Sequence, residues 1–328
     1  MILLITNKDD VTTDFVVNRL NKLGEPYYRL NAEDLVSGVG VNLDIGKDEY
    51  VLIDHQRNQQ ISLSSVKSVY YRRPGLPEID MSALSIGEVS FIKREVVYTL
   101  EGIYKILRDR FWISPVASIR EAENKIYQLL VARDIGFEIP RSLVTTSPEK
   151  AEVFFNELEG ECVIKPIRNG KVDDPGNPMV VFTTLIAADD VGLLNGVRRS
   201  PTYLQGKIDK VADIRVTVVG TRVFSAKICS QEYEETMIDW RKGENSKIRH
   251  EKIELPLEVQ DKCIELVKRL GLHFGAIDFV LCKNMRYVFL EINPNGQWGW
   301  IEKRLGYDIS GAIVDLLLRG AQGNGNRQ

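Results

Sequence analysis

The sequence predicts an α/β protein, α+β in parts, that opens with a small parallel-sheet domain. Three observations carry this. MILLIT, the helical-period segment DVTTDFVVNRLNKLG and PYYRLN follow one another as a β-α-β opening. Two strand-rich regions, 202–228 and 275–293, flank the amphipathic helix LPLEVQDKCIELVKRLGL. Within the second region, GAIDFVLCKNMRYVFLEINPN alternates so that one face is apolar and the other carries acids.

The opening helix places Phe15, Val16, Leu20 and Leu23 at helical spacing and closes at Gly24. SVKSVYYRR is a further strand, stopped by Pro74. Residues 85–110 form a long helix with Ile86, Val89, Ile92, Val96, Leu100, Ile103 and Leu107 as its apolar positions. AENKIYQLLVARDIGFEIP is a helix with Ile126, Leu129 and Leu130 on one face, ending near Gly136. SLVTTSPEKAEVFFNEL gives a strand and then a helix N-capped by Ser147. ECVIKPI is a strand, and RNGKVDDPGNPM, with Gly170 and Gly176, a polar mobile loop. DIRVTVVGTRVFSAKI reads as a hairpin around Gly220 and Thr221. DISGAIVDLLLRG is the last helix, before a tail, AQGNGNRQ, of disordered composition.

Composition bounds the function. The 328 residues suffice for two domains or three small intertwined ones, and 44% hydrophobic with 27% charged residues is ordinary for a globular chain. With 43 basic and 46 acidic side chains, the net charge of −3 gives no global reason to expect nucleic-acid binding. Cys162, Cys229, Cys263 and Cys282 lie far apart with no CxxC, which excludes metal-thiolate spacing and fits buried free thiols in a reducing cytosol. MILLITNKDD turns polar too early for a signal peptide, and no apolar run reaches the roughly 18 residues of a membrane span. A cytoplasmic protein without membrane or nucleic-acid partners is expected.

The acidic face is the informative feature. If Lys283 and Asn284 form a two-residue turn, Cys282 pairs with Met285 and Asp278 lies opposite Phe289. Phe289, Glu291 and Asn293 then project with Asp278, while Ile277, Phe279, Leu281, Val288, Leu290 and Ile292 form a core face. Two carboxylates and an amide oxygen are a hard-donor set suited to Mg²⁺; the plainer reading is two solvated acids on an ordinary hairpin. Lys165, at the end of an apolar strand before the glycine-containing loop, suits either a phosphate clamp or an edge-strand lysine with its head in water. Lys125 opens a helix, where exposure is the ordinary state. Arg215 shares a strand face with Asp213 and Thr217; it can hold a phosphoryl group bidentately or pair with Asp213 or another acid.

The order of these segments adds to them. NKIYQLLVARDIGFEIP, VIKP, the glycine loop, DIRVTVVG, AIDF and LEINPNG resemble the ATP-grasp fold over residues 115–318, about two thirds of the chain, and the first third resembles a pre-ATP-grasp domain. RLNAEDL, YYRRP (residues 70–74), IPRSLVTTSPEKAEVFF and MIDWR (residues 237–241) are similar to the microviridin-type, or graspetide, peptide ligases. The resemblance implies a pre-ATP-grasp domain at 1–114, a central subdomain with the phosphate loop at 115–200, a C-terminal subdomain with the metal site at 201–320, and the tail at 321–328.

It implies roles as well. ATP would lie between the central and C-terminal subdomains, with Lys125 and Lys165 on its phosphates, Gln205, Gly206, Lys207 and Ile208 bordering the adenine, and Asp213 among the nucleotide contacts. Asp278, Glu291 and Asn293 would hold Mg²⁺, and Arg215 would steady the γ-phosphate and an acyl-phosphate. Many relatives carry an acidic or aromatic residue where this chain has Gly206 and Lys207, so backbone contacts would carry more of the base recognition. The implied reaction phosphorylates Asp or Glu side chains of a ribosomally made precursor peptide and joins them to its Ser, Thr or Lys, the leader segment of the peptide docking elsewhere. Trp298 and Trp300 would line the peptide entrance, or serve as core or dimer contacts; Asp239 and Arg241 would touch leader or core. Relatives suggest a homodimer. No local Ser-His-Asp signature competes with this reading, and His273, beside Phe274, reads as structural. Two other readings are a ligase adding free amino acids to a carboxylate and a peptide-binding protein without turnover.

Overall fold

The computed structural model describes residues 1–79, 82–168, 170–172, 174, 177, 179–242 and 247–323. Gly176 of the glycine loop and residues 324–328 of the tail lie outside them. The fold is mixed α/β, and the chain divides into two compact units.

The first unit takes in Met1–Ile119, Gly271–Phe274 and Gln297–Gln328. Its sheet is parallel, in the order Tyr27–Asn31, Ile2–Thr6, Ser68–Tyr71, Phe111–Ile113. Ile2, Leu3, Leu4 and Ile5 are all buried, as a strand covered on both faces requires. The opening helix, Val11–Leu23, is N-capped by Asp10 and ends at Gly24 with φ 70°. The long helix Ile86–Ile106 starts in a capping box between Ser85 and Glu88. Val96, Leu100 and Ile103 pack on the sheet, whereas Ile86 is 91% exposed. A three-stranded antiparallel sheet, Val39–Asp44, Glu49–Asp54 and Gln59–Ser62, has no counterpart in the sequence reading above. The last helix, Ile309–Gly323, runs past the predicted start of the tail at Ala321.

The second unit takes in Arg120–Leu270 and Gly275–Gly296. It holds two sheets. One has the order Thr184–Leu185, Cys162–Lys165, Thr202–Gly206, Ser142–Thr145; the other His250–Lys252, Arg222–Ile228, Ala212–Val219, Phe274–Leu281, Tyr287–Asn293. Ser147 caps the helix Pro148–Glu157 through a hydrogen bond from the Lys150 N–H. The glycine loop forms a short hairpin, Lys171–Val172 against Met179–Val180. Gly170 sits so close to the Val181 carbonyl that a side chain there would collide with it. The four cysteines are buried and free, and no described helix is long and apolar enough to cross a membrane.

The helix Lys125–Ile135 corrects an expectation. Its predicted apolar face is largely exposed, Ile126 by 43% and Leu130 by 45%, and the buried positions are Gln128 and Ala132. The cause is a sheet edge. Gln128 Nε2 donates to the carbonyls of Ala122 (2.6 Å) and Ile292 (2.8 Å), and its Oε1 accepts from the Ile292 N–H (3.0 Å). A buried edge strand leaves backbone groups unpaired unless a side chain meets them, and this amide does so. Replacing Gln128 with Met should lower the unfolding free energy by about 2–3 kcal/mol in urea denaturation, since buried backbone partners are stranded. A change below about 0.5 kcal/mol, the range of a surface substitution, would show that the edge is held by other means.

Candidate functional site

The hairpin Phe274–Leu281/Tyr287–Asn293 carries the site, but not in the predicted register. Leu281 pairs with Tyr287, Val280 with Val288 and Phe279 with Phe289, so the connection is longer than two residues. That shift alone would turn Asp278 away from the acids. A β-bulge between Asp278 and Phe279 restores it: Asp278 faces Glu291, and Leu290 has no partner. The shifted register redistributes three side chains. Phe289 goes to the core, its ring 5.8 Å from Phe279 and 5.6 Å from Phe137. Val288 and Leu290, predicted for the core, instead join Val280, Cys282 and Ile208 in a separate apolar cluster.

Asp278, Glu291 and Asn293 converge as expected. Asn293 Nδ2 donates to Asp278 Oδ2 at 3.2 Å and to Glu291 Oε1 at 3.5 Å. Cations surround them. Arg215 Nε donates to Asp278 Oδ1 at 2.8 Å, choosing this acid rather than Asp213, which instead accepts from Lys210 Nζ at 2.7 Å. Lys125 Nζ is 3.0 Å from Glu291 Oε2 and also donates to the Pro166 carbonyl at 3.2 Å. Arg241 Nη1 is 4.0 Å from Glu291 Oε1. Burial raises the Asp278 carboxyl, with Arg215 opposing. Burial acts the same way on Glu291, but Lys125, Arg241 and Lys165 outweigh it and hold that carboxyl below its ordinary value.

The donor set fits a divalent ion. The two carboxylates sit on one amide, and rotating the Asn293 amide by half a turn presents Oδ1 where Nδ2 now lies. Among the described residues, no group of three or more His, Cys, Asp and Glu gathers as metal ligands, so an ion here would rest on two acids and the amide.

A pocket of about 780 Å³ opens beside these groups in the same unit; Lys165, Gln205, Lys207, Ile208, Val280 and Leu290 are among its lining residues. Its size and mixed apolar and basic wall suit a nucleotide. Gln205 does more than border it. Its Oε1 accepts from Lys165 Nζ at 2.6 Å, and its Nε2 donates to Ser142 Oγ (3.0 Å) and Tyr203 Oη (2.6 Å). Lys207 Nζ pairs with Glu161, and the N–H groups of Gly206 and Lys207 donate to the Arg141 and Glu161 carbonyls.

Two predicted peptide contacts, Asp239 and Arg241, lie in this cluster. Arg241 grips Asp239 with Nε (2.8 Å) and Nη2 (2.7 Å). Burial works against the Asp239 carboxylate, but Arg241 and backbone N–H groups bring it down to about 2. The tryptophans belong to the first unit. Trp298 is wholly buried, its indole N–H 3.3 Å from Tyr70 Oη and its ring edge-on to Phe15. It is a core residue, with no surface to offer a peptide entrance. Trp300 is half-buried on the helix Gly299–Leu305. His273 packs its ring 5.0 Å from Phe111, as a structural histidine would.

Asp213, expected among the nucleotide contacts, is instead buried against Lys210 and is not among the pocket's lining residues. The sequence reading passed over three groups: Gln128, Lys210, and a polar core in the first unit. In that core Asp10 accepts from Thr6 Oγ1 and Thr13 Oγ1 (2.9 and 2.5 Å), and Arg72 Nη2 and Thr12 Oγ1 both donate to Gln297 Oε1 at 2.7 Å. Arg72 is the first arginine of YYRRP and is 1% exposed, so that strand end is not a solvated charge pair.

Residues 122–317 match the RimK-like ATP-grasp domain, and residues 1–120 the MvdD pre-ATP grasp domain. The chain belongs to the RimK-like ATP-grasp family. The fold is therefore the one the ordered motifs implied, a pre-ATP-grasp domain followed by an ATP-grasp domain. Two solved structures are similar across nearly the whole chain. The RiPP-associated ATP-grasp ligase of Chryseobacterium gregarium, in complex with ADP and a leader and core peptide, is 29% identical with a TM-score of 0.90, covering 97% of this chain and 96% of that one. The macrocyclase MdnC of Microcystis aeruginosa, bound with precursor peptide MdnA, is 28% identical with a TM-score of 0.85, covering 97% and 99%. A probable alpha-L-glutamate ligase of Vibrio parahaemolyticus is 24% identical over 262 residues, 79% of this chain and 83% of its own length.

Lys165 yields a pH prediction. Burial, reinforced by Lys125 and opposed by Glu291, depresses its ammonium to about 8. A lysine so depressed carries its charge below that pH and loses it above. If it grips phosphate, nucleotide binding must restore the proton. The Kd for Mg-ADP should then rise by up to about tenfold per pH unit above pH 8 and stay level below pH 7. Calorimetric titration of wild type and Lys165→Arg checks this. A slope in wild type that persists in the variant would remove Lys165 as its source.

Proposed function

We propose that this chain is an ATP-dependent ligase that activates Asp or Glu side-chain carboxylates of a ribosomally made precursor peptide and joins them to Ser or Thr hydroxyls or Lys amines, closing macrocyclic esters or amides. The observation that carries it is the Asp278–Glu291 pair, gathered on one amide and flanked by Arg215, Lys125 and the Lys165-lined pocket. The likeness to a macrocyclase bound with its precursor and to a ligase with ADP, leader and core peptide supports the substrate class.

A carboxylate is a poor electrophile, because its oxygen is a poor leaving group and its charge repels nucleophiles. In the proposed reaction a carboxylate oxygen of the peptide attacks the γ-phosphorus. The bond from that phosphorus to the β,γ-bridging oxygen breaks, and its electron pair leaves on ADP. The hydroxyl or amine then adds to the acyl carbon and expels phosphate, losing its proton. Such chemistry needs placement and charge neutralisation more than a nucleophilic side chain. Lys125 and Lys165 bind phosphate oxygens. Val280, Ile208 and Leu290 exclude water from the base, beside the Gly206–Lys207 backbone. Arg215, anchored on Asp278, holds the group in transfer and then the acyl-phosphate oxygens. Asp278, Glu291 and Asn293 would hold Mg²⁺, which supplies charge neutralisation at the phosphates.

A second reading has one observation in its favour: curated relatives that match over 79% and 80% of this chain are probable alpha-L-glutamate ligases, and in this reading a free amino acid meets the electrophile. Mass spectrometry of a candidate precursor incubated with enzyme, ATP and Mg²⁺ separates the two. Loss of one water per new bond, with ADP released, is the expected result; a gain of whole amino-acid residues would favour the second reading, and ATP binding with neither product a non-catalytic protein. Asp278→Asn and Glu291→Gln should each lower turnover about a thousandfold, the scale for losing a preorganised charge-stabilising group, with the thermal transition retained. Undiminished turnover in both would remove the acids from the mechanism.

A further inference from the structure

Asp239 and Arg241 were expected to touch the leader or the core of a peptide; with Trp240 between them, their side chains lie among the charged groups of the candidate site. Asp239 is 5% exposed and held by four N–H donors: those of Thr183 at 3.3 Å and Arg241 at 3.1 Å from the backbone, and Nε and Nη2 of the forked Arg241 guanidinium. The fork takes Nε and Nη2, leaving Nη1 directed at the Glu291 side, 4.0 Å from Oε1 and beyond hydrogen-bond reach. Trp240, between them, lies under the other arginine of the site, with the Arg215 guanidinium carbon 5.8 Å from its ring centre. One short segment therefore fixes two guanidiniums around the same pair of acids.

A guanidinium held bidentately by a buried carboxylate has lost the freedom to search for partners, so what it offers is a charge at one place. Arg241 is also the more open of the two, its side chain 46% exposed against 8% for Arg215. Arg215 is already committed to Asp278. The Nη1 edge of Arg241 faces the acid expected to anchor the phosphate-bearing ion, and a leader segment has no reason to be there. We propose that Arg241 is a second phosphoryl-binding arginine, contacting a non-bridging oxygen of the γ-phosphate and then of the acyl-phosphate, and that Asp239 is its positioning residue. This rests on the ligase reading above and replaces a leader-docking role for the pair.

The test needs no peptide. Full-length wild type, Arg241→Gln, Arg241→Lys and the double variant Asp239→Asn/Arg241→Gln are titrated calorimetrically with Mg-ADP and with Mg-AMPPNP, which differ in the γ-phosphoryl group. The double variant removes the buried charge together with its partner, so a loss caused only by an orphaned carboxylate would not recur in it. Expected are Mg-ADP affinities within about twofold of wild type and Mg-AMPPNP affinities about ten- to a hundredfold weaker for Arg241→Gln and the double variant, the range for one charged hydrogen bond. Arg241→Lys should fall between. Parallel loss of both nucleotides, no change in either, or recovery in the double variant would each overturn the assignment. Wild type that binds neither nucleotide would overturn the ligase reading itself, and this inference with it.

Discussion

Two half-buried carboxylates on neighbouring strands are the constraint around which the second unit is organised. At about 5 Å and an effective dielectric near 20, two such charges repel by about 3 kcal/mol, before the cost of taking each from water. Nothing in a hairpin core requires them. They persist because their direct charged partners are positive: Arg215 on Asp278, Lys125 on Glu291, and Arg241 and Lys165 close enough to pull the Glu291 carboxyl down, while the nearby acids Asp213 and Asp239 are taken up by Lys210 and Arg241. The site is thus a set of interlocked opposite charges with cations in excess, in which a divalent ion would replace the cationic partners of the acids and a polyphosphate would take up the freed lysines and arginines. Paired charges in an open pocket are a common mark of function rather than stability.

The backbone makes that balance geometrically possible. A regular antiparallel pair with this connection would have turned Asp278 to the wrong face. The bulge at Asp278/Phe279 corrects the phase and sends both Leu290 and Glu291 away from the aromatic core, so one strand supplies an apolar pocket wall and an acid in succession. A bulged edge strand is hard to hold, and the helix Lys125–Ile135 holds it twice: Lys125 binds the Glu291 side chain and Gln128 the backbone of the next residue. The same helix thereby ties the strand's position to the charge on it.

Much of this was legible in the sequence, and the rest failed for identifiable reasons. The β-α-β opening, the long helix from Ser85 and the helix capped by Ser147 follow from local patterns, the order of the ATP-grasp segments from the resemblance, and all are present. The acids were found because period-two alternation isolates them on one face. The register was not, since the connection and the bulge are set by packing of Phe137, Phe279 and Phe289, distant in sequence. Gln128 was hidden because apolar neighbours at Ile126, Leu129 and Leu130 suggested a different buried face. The sequence leaves Trp298 between a peptide entrance and the core because an aromatic next to a functional strand looks like part of the site, and only the tertiary contact with Tyr70 and Phe15 decides for the core. Arg241 was picked out by its motif, but its bearing toward Glu291 is a three-dimensional fact.

The departure at Gly206–Lys207 also acquires a structural setting. Lys207 is turned to Glu161, and its backbone N–H and that of Gly206 are already bonded within the small sheet. In the proposed reading, base recognition would lean on the apolar wall, where Val280 and Leu290 come from the hairpin that carries Asp278 and Glu291, so nucleotide and ion would be read by the same two strands. Anomalous diffraction from crystals grown with ADP and Mn²⁺ tests this most directly. The account predicts a manganese peak bounded by Asp278, Glu291 and Asn293, with the diphosphate against it. A peak elsewhere, or none while Asp278 and Glu291 keep their pairing to Arg215 and Lys125 with ADP in the pocket, would contradict it.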